Sequence, residues 1–440
     1  MDAIITRASS LSGIPLLPAD KAICHRAALL CALAKGVTEI TPWSPAEDCQ
    51  KTLAVLQELG VPVSRTPSGI RIEGVGLIGL KPPNNPLDCG DSGTTMRLAC
   101  GVLAGQPFTS RLTAGPSLSR RPMRRIVEPL SQMGARLEGS QRGGDVYPPL
   151  TVTGRRPLSA IRYAMPIASA QVKSAILLAS LFADGRTEIR EPVGTRDHTE
   201  RLLNRLGAPI RTIGTTVALG GGVANLQSPG QLSIPADPSS AAFFVVAALL
   251  VPGSAITLPN VGLNPSRIHF LQALRRMGAL VEWQVEGEAW EPRGTLIAKS
   301  SALHGMTIST AEAAMLIDEL PILMVAACAA EGETRFEGLQ ELAVKESDRL
   351  HAMAAGLNAF GAHVEVVGSA TMTVRHRALH CASVESVGDH RIAMSLAIAG
   401  LLAEGETRIR HAECVAKSFP DFFECLASVT GGSSVKTIDP

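Results

Sequence analysis

Lysine or arginine stands near the start of almost every helix this sequence predicts, where the helix dipole would favour an acid. Lys21 and Arg26 open the first apolar run, and Arg97 follows Asp91-Ser92-Gly93-Thr94-Thr95 in the second. Lys173 follows Ser169-Ala170-Gln171 in the third. Arg120-Arg121, Arg196, Lys345 with Arg349, Arg391 and Lys417 hold comparable places further along. A helix N-terminus offers unpaired N–H groups and a partial positive charge, so cations gathered there repel it and one another unless an anion joins them. The pattern points to a site for a small polyanion. Asp318 and Glu346 are the acidic minority; a carboxylate among cations stays ionised and can take a proton from a substrate hydroxyl. Taken singly each residue has a plainer reading. Asp237-Pro238-Ser239-Ser240 is a cap, and His25 or His198 a structural histidine. The repetition gives them weight.

The elements that place these residues recur six times. A small-residue apolar helix reads into a Gly-Thr-type turn and a short strand at 22–36, 92–105, 169–185, 238–253, 318–332 and 389–405. A second, amphipathic helix follows each, such as 199–206 or 266–277, ending in a hydrophobic-Gly step: Leu59-Gly60, Met133-Gly134, Leu206-Gly207, Met277-Gly278, Phe360-Gly361 and Thr430-Gly431. A period of roughly 70–80 residues exceeds a solenoid repeat and suits a βαβ-type module. Gly36, Gly105, Gly185, Gly253, Gly332 and Gly405 are expected as left-handed C-caps of the apolar helices. Residues 283–292 read as a hairpin tip on the fourth module. Six modules divide most simply into two α/β domains of three, 17–230 and 231–440, with 1–16 crossing back to join the second.

Bulk composition narrows the function classes. The chain has 440 residues, 45% of them hydrophobic, a net charge of +1 and only 3% aromatics, which argues against a nucleic-acid surface. No apolar run is long and uncharged enough to span a membrane. The opening MDAIITRASS lacks the basic-then-apolar layout of a signal peptide, and nine cysteines without a CxxC pair read as reduced thiols, so a cytoplasmic protein is expected. No GxxxxGK[ST] and no strand-linked GxGxxG is present, which speaks against a nucleotide phosphate loop.

The motifs themselves carry a resemblance. PADKAICHRA at 18–27, CGDSGTTMRL at 89–98, SLSRRPM at 117–123, ASAQVKSAILLA at 168–179 and TRDHTERLL at 195–203 lie in the first half. DPSSAAFF at 237–244, IDELPIL at 317–323, VKESDRL at 344–350, DHRIAM at 389–394 and KSFPDF at 417–422 lie in the second. In this order they resemble the 5-enolpyruvylshikimate-3-phosphate synthases, enolpyruvyl transferases, from end to end. The resemblance implies two similar domains, each of three βαβαββ repeats around a pseudo-threefold axis, with ligands in the cleft between them. It implies transfer of the enolpyruvyl group of phosphoenolpyruvate to the 5-hydroxyl of shikimate 3-phosphate by addition and elimination, with no cofactor or metal, in a cytoplasmic monomer. Lys21, Asp318 and Glu346 would then be catalytic. Lys21, Gly93, Arg121, Gln171, Arg349, Arg391 and Lys417 would bind phosphoenolpyruvate. Lys21, Ala22, Arg26, Ser169, Ala170, Gln171, Arg196, Asp318 and Lys345 would bind the acceptor.

Four positions depart from the family's pattern. Its Pro-Gly-(Ser/Asp)-Lys-Ser is Pro18-Ala19-Asp20-Lys21-Ala22 here, so a serine hydroxyl for the shikimate carboxylate is gone. Its Gly-Asn is Gly90-Asp91, placing a negative charge where an amide sits beside phosphoenolpyruvate. Its Gly-Asp before Ser-Leu-x-x-Arg-Pro is Ala114-Gly115, and its small hydroxyl ahead of the His/Asn–Arg pair is Cys24. A lost hydrogen bond to a charged group costs about 1.5–3 kcal/mol. The alternative reading is therefore an enolpyruvyl transferase for another phosphate-bearing acceptor, for example UMP in nucleoside-antibiotic biosynthesis.

Overall fold

The backbone divides at two places into compact units, Ala19–Ile234 and Met1–Pro18 with Pro235–Pro440. This computed structural model describes residues 1–287 and 290–438. The tip of the 283–292 hairpin, at Glu288 and Ala289, lies outside the described residues.

In the unit Ala19–Ile234 the helices are α1 (Lys21–Leu33), α2 (Glu47–Glu58), α3 (Gly93–Ala104), α4 (Arg124–Gln132), α5 (Ala170–Ser180) and α6 (His198–Arg205). The other unit carries α7 (Pro238–Leu250), α8 (His269–Arg276), α9 (Thr310–Met315), α10 (Leu320–Ala329), α11 (Arg349–Ala359), α12 (His390–Gly400) and α13 (Phe422–Val429). The repeat containing α3 shows the module plainly. Leu87–Asp88 runs through α3 into a parallel partner, Thr109–Thr113. The chain then passes through α4 to Arg136–Arg142 and turns back as Asp145–Thr153, which inserts between them. The result is a βαβαββ unit whose four-stranded sheet has the strand order 1-2-4-3.

The same order recurs around α5 with α6 and around α10 with α11. Three repeats borrow a strand from elsewhere in their own unit. Leu226–Gln227 and Gln231–Ser233 lie parallel to Ala34–Thr41 and complete the first repeat. Ser12–Gly13 does the same for Ala255–Gly262, and Asp2–Thr6 slots between Glu406–Arg410 and Val435–Ile438. Each unit thus closes on itself, and neither leaves its first repeat with a sheet missing its opening strand.

The apolar helices are interior because they are apolar all round. Every residue of α12 is buried, as are Leu320–Cys328 of α10 and Pro238–Leu249 of α7. Helices α7, α10 and α12 pack on one another, and Phe243, Phe244, Phe419, Phe422 and Phe423 fill one side in edge-to-face and tilted pairs with centroids 5.2–6.1 Å apart. In the other unit α3 meets α5 backbone to backbone at Gly101, where a Cβ would fall 2.3 Å from the Ala175 carbonyl oxygen.

The glycines behave differently from the expectation. Helix α1 ends at Leu33 and α10 at Ala329, so Gly36 and Gly332 lie beyond the caps, in or before the following strand. Gly105 does cap α3, but with φ −90°, which any residue adopts. Gly36, Gly185, Gly253, Gly332 and Gly405 do have positive φ, but beyond the helix ends, and left-handed capping of the helix end itself belongs to the second helices. Gly60 has φ +82°, its N–H bonds to Gln57 O at 2.9 Å and that of Val61 to Leu56 O at 3.0 Å, a Schellman motif. Gly134, Gly207, Gly278, Gly361 and Gly431 stand at the same place with positive φ. The physical reason is the exit angle. The second helices turn at once into an antiparallel strand, whereas the buried helices run on for a few residues before the chain reverses.

Because Gly101 lets two helix backbones touch, Gly101→Ala should cost on the order of 1–3 kcal/mol, read as a lower urea midpoint at unchanged slope; a wild-type midpoint would show that α3 and α5 can part.

Candidate active-site residues

Helix α1 begins at Lys21, capped by Asp20, whose Oδ1 accepts from the Ile23 N–H at 3.1 Å. The Lys21 Nζ lies 2.8 Å from Asp48 Oδ2 at the start of α2. Asp48 is tied through its carbonyl to the Thr95 hydroxyl at 3.2 Å, and Thr95 Oγ1 reaches Ser92 Oγ, the cap of α3, at 2.8 Å. At that N-terminus a Cβ on Gly93 would sit 2.7 Å from both the Arg121 and the Arg97 guanidinium. Two arginines therefore flank the first residue of α3, and a larger residue there would push their guanidinium groups aside. Arg97 donates to Gln171 Oε1 at 2.8 Å, and Gln171 Nε2 donates to Thr94 Oγ1 at 2.8 Å, which joins α3 to the first turn of α5. Ser169 caps α5 through the Val172 N–H, and Ala170 is its first residue.

Sequence-predicted residues of this unit, Arg97 among them, are thus brought together by α1, α3 and α5, with Asp48 and Thr94 as partners that sequence reasoning did not assign. Arg26 is buried and already engaged. Its Nε bonds to Thr199 Oγ1 at 2.8 Å, one terminal nitrogen to Ser174 Oγ at 3.0 Å and the other to the Ala22 carbonyl at 2.8 Å. Arg196 lies half-buried just before α6.

Asp91, the unexpected acid, has a local task. Its Oδ1 accepts the Ser117 N–H at 2.9 Å and the Leu118 N–H at 3.0 Å, capping the short turn that leads to Arg121. A Cβ at position 115 would lie 2.6 Å from that oxygen, so Gly115 leaves room for the Asp91 carboxylate. Two departures from the family's pattern thus lie side by side. Cys24 is also paired. Burial and the neighbouring Cys49 push its thiol well above its ordinary range. Cys49 feels the same burial, yet the Cys24 thiol, His25 and Lys21 outweigh it and bring Cys49 below its ordinary range.

In the other unit the centre is Arg349, first residue of α11 and 1% exposed. Its Nε donates to Asp389 Oδ2 at 2.8 Å, it bonds Glu346, and a terminal nitrogen lies 3.6 Å from Asp318 Oδ1. Burial works against its charge, and the carboxylates of Asp389, Glu346 and Asp318 more than offset this, so its pKa rises further. Asp389, fully buried, caps α12 with its other oxygen through the Arg391 N–H at 2.9 Å. Arg391 donates to the Asp318 carbonyl at 2.7 Å, and its guanidinium is 3.8 Å from the Asp318 carboxylate and 3.9 Å from that of Glu319. Lys417 Nζ donates to the Gly388 carbonyl at 3.0 Å, and Lys345, half-buried, follows the turn Leu339–Val344. Repulsion among the cations is therefore met partly inside the protein: Lys21 by Asp48, Arg349 and Arg391 by Asp318, Glu319, Glu346 and Asp389. Asp389 was legible only as part of the motif at a helix start, because nothing in its spacing shows that it reaches 40 residues back.

Six βαβαββ repeats with guanidinium and ammonium groups set at buried helix starts define a carboxyvinyl transferase, as comparison with known proteins shows. A family model described as EPSP synthase (3-phosphoshikimate 1-carboxyvinyltransferase) matches residues 5–426, and the chain belongs to that family. It is 47% identical over 431 residues to the 3-phosphoshikimate 1-carboxyvinyltransferase of Xanthomonas campestris pv. campestris, covering 97% of each chain. It is 46% identical over 431 residues to that of Pelotomaculum thermopropionicum, covering 98% of this chain and 99% of the relative. A solved EPSP synthase from Acinetobacter baumannii superposes with a TM-score of 0.87 at 38% identity, over 100% of this chain and 99% of its own. Among the described residues no helix is long and apolar enough to cross a membrane.

Two substitutions check this geometry. Asp389→Ala, which strips the buried Arg349 of its one fully buried carboxylate partner, should cost about 3–5 kcal/mol in chemical denaturation. Asp91→Asn keeps an oxygen acceptor and should be nearly neutral, whereas Asp91→Ala should cost about 1–3 kcal/mol; equal losses would mean that the charge, not the cap, is what matters.

Proposed function

We propose that this chain transfers the enolpyruvyl group of phosphoenolpyruvate to the 5-hydroxyl of shikimate 3-phosphate, releasing phosphate. The observation that carries the reading is the buried Arg349 holding Asp318 and Glu346, two carboxyl groups at separate positions for two proton transfers. The relatives named above, nearly full length on both sides, support the acceptor.

In this reading Ser169, Ala170, Gln171 and Arg196 receive the acceptor's phosphate and ring, with Lys21, Ala22, Arg26 and Lys345 on its carboxylate side. Arg26 contributes from a buried position, by fixing the Ala22 carbonyl and Thr199. Arg121, Arg349, Arg391 and Lys417, with Gln171 and the backbone at Gly93, hold the phosphate and carboxylate of phosphoenolpyruvate. Glu346, assisted by Lys21, delivers a proton to the methylene carbon. Asp318 takes the proton of the acceptor hydroxyl as its oxygen attacks C2. The tetrahedral ketal then loses phosphate, and the methyl carbon returns its proton. Fixed cations serve this sequence because charge grows on the departing phosphate (the donors need no reorganisation to meet it). The chain would work as a cytoplasmic monomer.

A second acceptor has one observation in its favour. Ala22, in the first turn of α1, brings no hydroxyl to the acceptor side. Asp91 no longer argues for it, since that carboxylate caps residues 117 and 118.

Phosphate release from phosphoenolpyruvate should be fast with shikimate 3-phosphate and absent with UMP; the reverse outcome would sink the reading. Asp318→Asn and Glu346→Gln should each lower kcat by about 10²–10⁴ while leaving phosphoenolpyruvate affinity nearly unchanged. Ala22→Ser should tighten shikimate 3-phosphate, by up to about tenfold for one added bond to a carboxylate.

A further inference from the structure

Lys173 is a cation that the reaction does not use, and it is among the most deeply buried charges of the chain, 1% exposed in the second turn of α5. Its Nζ lies 2.9 Å from Glu191 Oε2 and 2.6 Å from Glu200 Oε1, both carboxylates also buried, and 3.4 Å from the Thr195 carbonyl oxygen. Glu191 turns its other oxygen to the same residue, accepting the Thr195 N–H at 3.2 Å and the Thr195 hydroxyl. Four residues on, Thr199 Oγ1 is 2.7 Å from Ser174 Oγ, and Ser174, next to Lys173 on α5, donates to the Ala170 carbonyl at 2.6 Å. Helix α5 therefore fastens the 191–200 segment twice, at Thr195 through Lys173 and at Thr199 through Ser174. Arg196 lies in the short span between the two anchors, and the N-terminus of the same α5 carries Ser169, Ala170 and Gln171.

From this we infer that Lys173, with Glu191 and Glu200, is a positioning group that holds Arg196 in register with the first turn of α5, and so sets affinity for the phosphorylated acceptor. The inference rests on the proposal that Arg196 binds that acceptor. Burying one ammonium between two carboxylates is a poor way to gain stability, since a well-packed apolar trio serves as well. Burial also pushes the Glu200 carboxyl upward against the pull of Lys173, so the arrangement is held against a cost. What a charged trio supplies and an apolar one does not is direction: an ammonium has three donors, and here they meet Glu191, Glu200 and the backbone next to Arg196.

The test compares steady-state constants of the full chain for both substrates in Lys173→Met, Lys173→Arg, Glu200→Gln, Arg196→Ala and the Lys173→Met/Arg196→Ala double variant. Lys173→Met should raise KM for shikimate 3-phosphate on the order of tenfold, the worth of one misplaced charged contact, with KM for phosphoenolpyruvate nearly unchanged. Lys173→Arg should recover part of the loss, and Lys173→Met should add little once Arg196 is gone. Glu200→Gln, which preserves shape and one ion pair, should show the same one-sided rise and serves if Lys173→Met does not fold. Unmoved acceptor KM in both single variants, equal rises for both substrates, or full additivity in the double variant would overturn the inference. An Arg196→Ala protein with unchanged acceptor KM would overturn the role of Arg196 itself, and the inference with it.

Discussion

Close approach of small-residue helices is the constraint on which the rest of this structure depends. Side chains at the start of one helix can touch those of the next only if the helix bodies nearly meet. At Gly101 and Ala175 they do, without an intervening Cβ. That contact sets Thr94 and Arg97 of α3 beside Gln171 of α5, and the two hydrogen bonds between them need both helices in one register. A side chain added at Gly101 would push the two helices apart and shift their polar ends.

The second consequence is electrostatic. Packing buried helices start to start gathers their partial positive charges, and the chain adds Lys and Arg to the same places. The fold answers with carboxylates that each serve two partners. Asp389 caps α12 and grips Arg349; Asp48 holds Lys21 while its carbonyl meets Thr95; Glu191 pairs Lys173 and pins Thr195. Such double use makes the cations rigid. A rigid cation is worth more to a bound phosphate than a mobile one, because nothing has to be ordered when the anion arrives.

Much of this was legible in the residues. The six repeats follow from the spacing of apolar runs and hydrophobic-Gly steps, and the candidate cations from their place at helix starts. The motifs give the family at once. What spacing did not give was partnership. Asp91 read as a charge facing an anion, and the fold turns it toward two backbone N–H groups, with Gly115 vacating the space. Arg26 read as a residue of the acceptor site, and the fold buries it against Thr199, Ser174 and the Ala22 carbonyl. The apolar-helix glycines read as caps; most keep the positive φ but beyond the helix end, and left-handed capping fell to the second helices.

By itself the sequence determined the kind of element at each place, since helix period, small apolar residues and Schellman glycines are local properties of the chain. It also determined which side chains can carry charge or move a proton. Only the tertiary structure decided which charges answer which. Asp389 and Arg349 are 40 residues apart, Arg26 and Thr199 are 173 apart, and Lys173 meets Glu191 and Glu200 across a strand and a loop. The reason is geometric. A hydrogen bond or ion pair acts within about 3–4 Å, and which residues fall within that reach is fixed by how helices cross and sheets close, not by their order along the chain.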